Sequence, residues 1–467
     1  MPSTGDAGRS GAASERESSR EREAVAAESA TSSGGSLSRR RLLAVAGGGL
    51  LAGGVGGYTV GARPFEPPDC DAHPVPVEDD EWSFPNHDRR HTATAPASVA
   101  PESLTERWHA RWDVSRHGPP AVANDTAFVA AVGGLTEDES LYAFDLSTGE
   151  ERWRRSFPDA REAHPVVAAG ERVYYHTNTE DRGRTALALG MVDGRERWAD
   201  AVPNLHAYAP PLALADGRVL LDDPTVEDEG AAVTALDSET GERCWRTRLD
   251  VAALVPTPAV ADGSIYYAAR RDAEDGSGAL VVLDAATGAV TRKRKMPPGA
   301  DGPPVLGADL GYVATFDGPL VAFSLDSGDE VWRHERTSLF GSGDPGTRYA
   351  QPSYELGALT PTALVARLEA HTDASDRLRA FDPATGEVLW TRVAEGADAS
   401  VTPPTAAGDA VFAAETREND PNRLLRLDAR TGQLRDAVAF DGWTHHAPVP
   451  TEAGVLFVTG RGVTLYR

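Results

Sequence analysis

Five histidines stand in short, proline-bounded stretches of the chain. His445 and His446 precede Pro448, His117 precedes Pro119, His164 abuts Pro165, and His206 lies ahead of Pro210. Trp443, Glu162 and Tyr208 share those stretches. Neutral imidazole is a metal ligand, and protonated imidazole receives anions, so histidines gathered at one place would support either chemistry. Left ungathered, they are polar loop residues with no common target. None shows the His-Glu-x-x-His spacing that holds zinc on one helix. A site must therefore be assembled from separate elements. We expect ligand binding at His117, Glu162, His164, His206, Tyr208, Trp443, His445 and His446, with no metal assigned and no catalytic residue identified.

Other reactive groups carry less. Cys70 and Cys244 are the two cysteines, too few for a disulfide framework or a cysteine-type zinc site. Cys244, beside Trp245, reads as a small buried residue. A bond between the two would be allowed outside the cell and would staple the N-terminal segment to the body of the protein. The acidic runs from Asp222-Asp223 to Glu227-Asp228-Glu229 and from Asp272 to Asp275 read as solvated hairpin tips. Arg292-Lys293-Arg294-Lys295 is the one basic run, read as a solvated strand among acidic neighbours. Nucleophile-elbow, phosphate-loop and dinucleotide fingerprints are absent from the sequence.

The chain has 467 residues and a net charge of −25, with Lys293 and Lys295 its only lysines. Such acidity argues against nucleic acid and against anionic lipid as partners. Residues 1–37 hold no aromatic residue and read as disordered. Ser38-Arg39-Arg40-Arg41-Leu42-Leu43 then opens an uncharged run to Ala62. A twin arginine ahead of an apolar run resembles a twin-arginine export signal. Val60 and Ala62 offer small residues for cleavage, while the run's length also suits an uncleaved membrane anchor. The acidity belongs to the part downstream. Acidic surface with almost no lysine reads as adaptation to high salt, in a cell of halophilic-archaeal type.

A period emerges next. Leu141-Tyr-Ala-Phe-Asp-Leu-Ser-Thr-Gly149 leads to Trp153, and six comparable units place glycine at 194, 241, 288, 328, 386 and 432. Trp198, Trp245, Trp332 and Trp390 follow four of them, while Arg292 and Asp436 stand where two further tryptophans would be. Spacings of 40 to 58 residues are those of a four-stranded propeller blade. Tyr142 and Phe144 alternate as on a half-buried strand. Asp145 can accept turn hydrogen bonds, Gly149 supplies the positive φ of a tight hairpin, and Trp153 can pack between blades. Upstream of most units, a proline such as Pro120, Pro165 or Pro258 precedes an apolar strand. An insertion around 337–354 explains the longest interval.

Seven hairpins become eight blades through the chain ends. The sequence stops at Gly462-Val-Thr-Leu-Tyr466-Arg467, where another unit would continue, and Leu104-Thr-Glu-Arg-Trp108 resembles the strand that unit lacks. Pairing them removes two aggregation-prone edges. The expected fold is all-β: an eight-bladed propeller of four-stranded antiparallel blades over 104–467, closed by the N-terminal strand against the C-terminal strands. Residues 63–103 form a linker and entry segment.

This pattern resembles the pyrroloquinoline-quinone (PQQ) repeat family, on seven copies of the Leu-Asp-x-x-Thr-Gly-x-x-x-Trp theme. Trp82-Ser-Phe84-Pro-Asn-His87-Asp88 looks like the entry segment found ahead of such propellers. The resemblance implies either a quinone-dependent dehydrogenase or a non-catalytic member, such as the outer-membrane assembly lipoproteins that bind other proteins. The dehydrogenases typically pair adjacent cysteines over the quinone and hold calcium beside it. Adjacent cysteines and an Asp-x-Asp-x-Asp-Gly calcium loop are both missing here. We therefore expect no cofactor, with PQQ and calcium only under the dehydrogenase reading. The leading expectation is an exported, monomeric binding or scaffolding module at the cell surface, whose partner is a protein, a glycan or a small ligand.

Overall fold

A computed structural model describes residues 70, 72–78, 81–133, 138–202, 212–226, 230–270, 277–297, 299, 302–315, 319–335, 354–370, 375–396, 399–418 and 420–467, with side chains of 223–226 excepted. The export signal, most of the insertion, His206, Tyr208 and the runs Glu227–Glu229 and Asp272–Asp275 lie outside the described residues.

Eight antiparallel sheets follow one another, built from residues 116–157, 167–201, 213–249, 253–296, 305–334, 354–393 and 400–440, with the last combining 449–466 and 106–111. We call them blades 1 to 8. In blade 8 the N-terminal strand pairs with the C-terminal one, Glu106 opposite Tyr466 and Trp108 opposite Leu465. Thr105 and Arg467 exchange both backbone hydrogen bonds, at 3.1 and 2.7 Å. The ring closes as the sequence reading expects. Within a blade the inner strands are buried on both faces, as at Thr126–Val132, while the outermost strand alternates with solvent, as at Glu151–Phe157.

The repeated motif joins blade to blade. Asp145 Oδ1 accepts from the backbone N–H groups of Ser147 and Thr148, at 2.9 and 3.0 Å, and so shapes the turn. Gly149 then sits at φ 76° under the indole of Trp108 from the previous blade, where a Cβ would come within 2.6 Å of the ring. The same indole donates to the Leu146 carbonyl at 2.9 Å. Trp153 repeats this over Gly194, Trp198 over Gly241, Trp245 over Gly288, Trp332 over Gly386 and Trp390 over Gly432. Each of these five donates its N–H to the carbonyl of a turn residue in the next blade. Arg292 substitutes chemically in blade 4: it lies over Gly328 and donates to the Leu325 carbonyl at 2.8 Å. In blade 7, Asp436 accepts from Leu104 N–H at 2.7 Å, so even the position lacking tryptophan ties down the closing strand.

The entry segment is a strap. Its carbonyls accept from the innermost strands in ring order: Trp82 from Val122 of blade 1, Ser83 from Ala168 of blade 2, Arg89 from Val260 of blade 4, Arg90 from Leu306 of blade 5, Thr92 from Leu359 of blade 6 and Ala93 from Ala406 of blade 7. Thr94–Ala95 then adds a parallel strand to blade 7. Left-handed backbone at His87, His91 and Ala93 bends the strap around the axis. Trp82 is fully buried. The strap runs along the innermost strands at the end where their turns lie, as at Asn124, whose N–H donates to Glu81.

Blade 3 is reached differently. Cys70 is bonded to Cys244 there, and Arg218 donates to the Cys70 carbonyl at 3.3 Å. Cys244 is buried, as expected, and it forms the bond to Cys70 that the sequence leaves open. The strap carries Cys70 across the edge of blade 3, which sequence separation conceals.

Two outcomes test this scheme. Trp390→Ala should cost about 3–5 kcal/mol in urea unfolding, through lost packing and an orphaned carbonyl, and Trp390→Phe should cost clearly less. Cys244→Ser should lower stability by about 2–4 kcal/mol and expose residues 72–78 to limited proteolysis while leaving the eight blades resistant.

Candidate functional site

The connections between blades emerge on the face opposite the strap. They carry the candidate histidines, and the described ones fall into two groups. At the junction of blades 8 and 1, the His117 ring stacks on Trp443 with centroids 4.9 Å apart and meets His446 edge-on at 5.1 Å. The His446 Nε2–H donates to the His117 carbonyl at 2.9 Å. Trp443 is pressed on its other side against Gly460, where a Cβ would meet the indole at 2.5 Å, yet it keeps 37% of its surface exposed. His445 is exposed beside it.

The second group lies between blades 1 and 2. His164 Nε2 meets Glu162 Oε2 at 3.3 Å, and its ring lies 3.9 Å from that of His176. The two groups adjoin through backbone, because a Cβ at Gly118 would strike the His164 carbonyl at 2.6 Å. Among the described residues these histidines do not converge as a three-ligand set. The one grouping of such donors is Cys70, Asp237 and Cys244, whose sulfurs are taken by the disulfide.

Burial sets the charges. It pushes His117 down to about 3, assisted by neighbouring His446, and His446 down to about 4. His164 is lowered by burial and by His176. These are neutral imidazoles at neutral pH, suited to hydrogen bonding and not to holding an anion by charge. His117 and His164 are also buried, packed side chains, whereas His445 is exposed.

Sequence reasoning missed the acids behind these loops. Glu139 opens a strand of blade 1 and is fully buried. It accepts from Thr177 at 3.0 Å and from the Tyr175 hydroxyl of blade 2, while the Tyr175 oxygen accepts from His164 N–H at 3.1 Å. Desolvation raises Glu139 to about 8. Asp222 of blade 3 repeats the device with Tyr267 of blade 4, at 2.5 Å, and is raised by burial to about 6. Reading Asp222 as a solvated hairpin tip is thus wrong: its strand continues through Val226, which turns this carboxyl into the interior. Glu415 of blade 7, also buried, pairs with Arg423 at 2.7 Å. Tyrosines at equivalent positions of blades 2 and 4 were the available signal.

Two cavities stand out among the described residues, on different parts of the fold. One of about 450 Å³ lies along the strap, walled by Val77, His87 and Thr94. A cleft of about 1160 Å³ runs between blades 7 and 8, past His109, Arg111, Arg461 and Tyr466 to Gly442, next to Trp443.

A family model described as outer membrane protein assembly factor BamB matches residues 95–227, 229–354 and 374–467. A polyvinylalcohol dehydrogenase of Sphingopyxis sp. (strain 113P3) is 26% identical over 259 residues, covering 51% of this chain; the chain spans about a third of that relative's length, 32%. Among solved structures, quinohemoprotein alcohol dehydrogenase from Comamonas testosteroni superimposes with a TM-score of 0.63 at 16% identity, over 84% of this chain and 80% of that one. BamB from Moraxella catarrhalis gives 0.55 at 17% identity, over 78% and 99%. At these identities the structural likenesses speak to the fold.

Glu139 yields a pH test. Its folded-state value lies above the ordinary glutamate value near 4.3, so the native state holds a proton that the unfolded chain loses. Stability therefore falls as pH rises from about 4.3 to about 8. Glu139→Gln should match the native protein in urea midpoint near the acidic end of that window and exceed it above the alkaline end.

Proposed function

Because the chain belongs to the PQQ-repeat family described as outer membrane protein assembly factor BamB, we propose that it is an exported, non-catalytic propeller that binds or scaffolds a cell-surface partner through its upper mouth. One observation carries this reading: the buried acids Glu139 and Asp222 behind the mouth are committed to neighbours within the fold. Glu139 serves Tyr175 and Thr177, and Asp222 serves Tyr267, while Glu415 offers one oxygen to Arg423 and keeps Oε2 without a hydrogen-bond partner. Exposed at the rim are groups suited to contact, Trp443 and His445. Trp443 is a pre-ordered aromatic anchor of the kind that dominates binding surfaces.

The dehydrogenase reading has its own support in the polyvinylalcohol dehydrogenase match. PQQ is a planar, tricarboxylated quinone, and it asks for cations at its rim and a covering group over its plane. Burial keeps His117, His164 and His446 neutral, Glu139 and Asp222 are engaged by tyrosines, and Arg116 is an exposed cation beside His117. The chain has no adjacent cysteines to cap a quinone, and its two cysteines, Cys70 and Cys244, fasten the strap. On this chemistry we favour the binding reading, and no oxidation step is derived.

Export rests on the twin arginine at Arg39-Arg40 and on the Cys70–Cys244 bond, which persists in an oxidising compartment. No helix among the described residues is long and apolar enough to cross a membrane. We assign any tether to residues 38–62, and the acidic, lysine-poor surface to a salt-loving cell.

Protein supplied with PQQ and calcium should show no dye-linked oxidation of alcohols or sugars. Turnover would replace the binding reading with the enzymatic one. Trp443→Ala combined with His445→Ala should abolish cross-linking to native cell-surface material at high salt without lowering the urea midpoint of the propeller.

A further inference from the structure

Both lysines of the chain stand at 293 and 295 among 44 arginines. The fold puts them on the outermost strand of blade 4, Val290–Met296, with Arg292, Arg294 and no acid. The outermost strand of neighbouring blade 3, Arg243–Leu249, carries Arg243, Arg246 and Arg248 and again no acid. Five of the other six outermost strands carry an acid, and the sixth holds a single arginine. Seven cations thus line two adjacent edges of a chain whose net charge is −25.

Arg292 is accounted for by the blade joint. The other six cations are exposed. Lys293 reaches Asp250 at 3.2 Å and Arg294 reaches Asp329 at 3.5 Å, which places cations on both flanks of the blade 4 edge. Both acids are themselves well exposed, and pairs of that kind contribute only ~0–1 kcal/mol, so a competing carboxylate can displace them. A charged residue on an edge strand discourages accidental strand pairing. One such residue suffices for that purpose, and it does not call for concentrating all the lysine of an acidic protein here.

We propose that the outer wall of blades 3 and 4 docks an acidic polypeptide segment of a partner protein. The wall supplies carboxylate receptors of both kinds, guanidinium forks and ammonium point charges. Each of these strands ends its sheet, and a sheet edge is a surface that an extended peptide can meet in register and a polysaccharide cannot. In strong salt the Debye length shrinks to about 3 Å. Attraction then acts only at contact, and it favours a segment lying along the wall. This surface is separate from the mouth and does not depend on what binds there.

The test uses the full chain and a fluorescent decaglutamate peptide, read by anisotropy at low and high salt. Decaglutamate should bind, decaglutamine should not, and Lys293→Glu with Lys295→Glu should weaken binding about tenfold or more. Lys293→Gln with Lys295→Gln gives the milder loss if the charge reversal perturbs folding. Trp443→Ala with His445→Ala should leave this binding unchanged, so failure here is distinct from failure at the mouth. No binding of decaglutamate, binding indifferent to both lysine variants, or capture of polygalacturonate in its place would overturn the proposal.

Discussion

The whole molecule depends on an indole lying flat over a glycine. Each such contact spans two blades and has two parts: a ring that fits only where a side chain is missing, and an N–H that finds a carbonyl just beside it. The geometry fixes the spacing and tilt of successive blades together, because ring and donor belong to one rigid group. It also explains why the turn needs glycine twice over, for its positive φ and for its bare surface. Where tryptophan is replaced, the donor survives in Arg292, or its place is taken by an acceptor in Asp436 that reaches the incoming chain.

Much of this was legible in the amino-acid order, since the hairpin recurs seven times and the indole joint six, with Arg292 over Gly328 in the seventh place. Trp108 and Tyr466 could be matched as halves of one sheet because each half lacked what the other carried. The strap was only partly legible. Trp82-Ser-Phe84 marked an entry segment, but its backbone carbonyls do the holding, and carbonyls have no residue type to read. Nothing in the spacing of Cys70 and Cys244 tells that a circling segment brings them together.

The candidate site was legible in its parts and not in its grouping. Proline-rich connections drew attention to the histidines, and all described members do occupy one face. Which neighbour each ring chooses is settled by packing: His117 turns to Trp443 of the last blade, and His164 to His176 of its own. Glu139 escaped notice and Asp222 was read as solvated because a carboxyl near a turn is usually wet. Each is instead kept dry by a tyrosine from the next blade, an arrangement that costs desolvation and returns a specific contact between blades.

The chain's own backbone is bonded to six blades before the first complete sheet begins. One short segment is thus the common partner of six innermost strands, so pulling it away would unfasten six sheets at once.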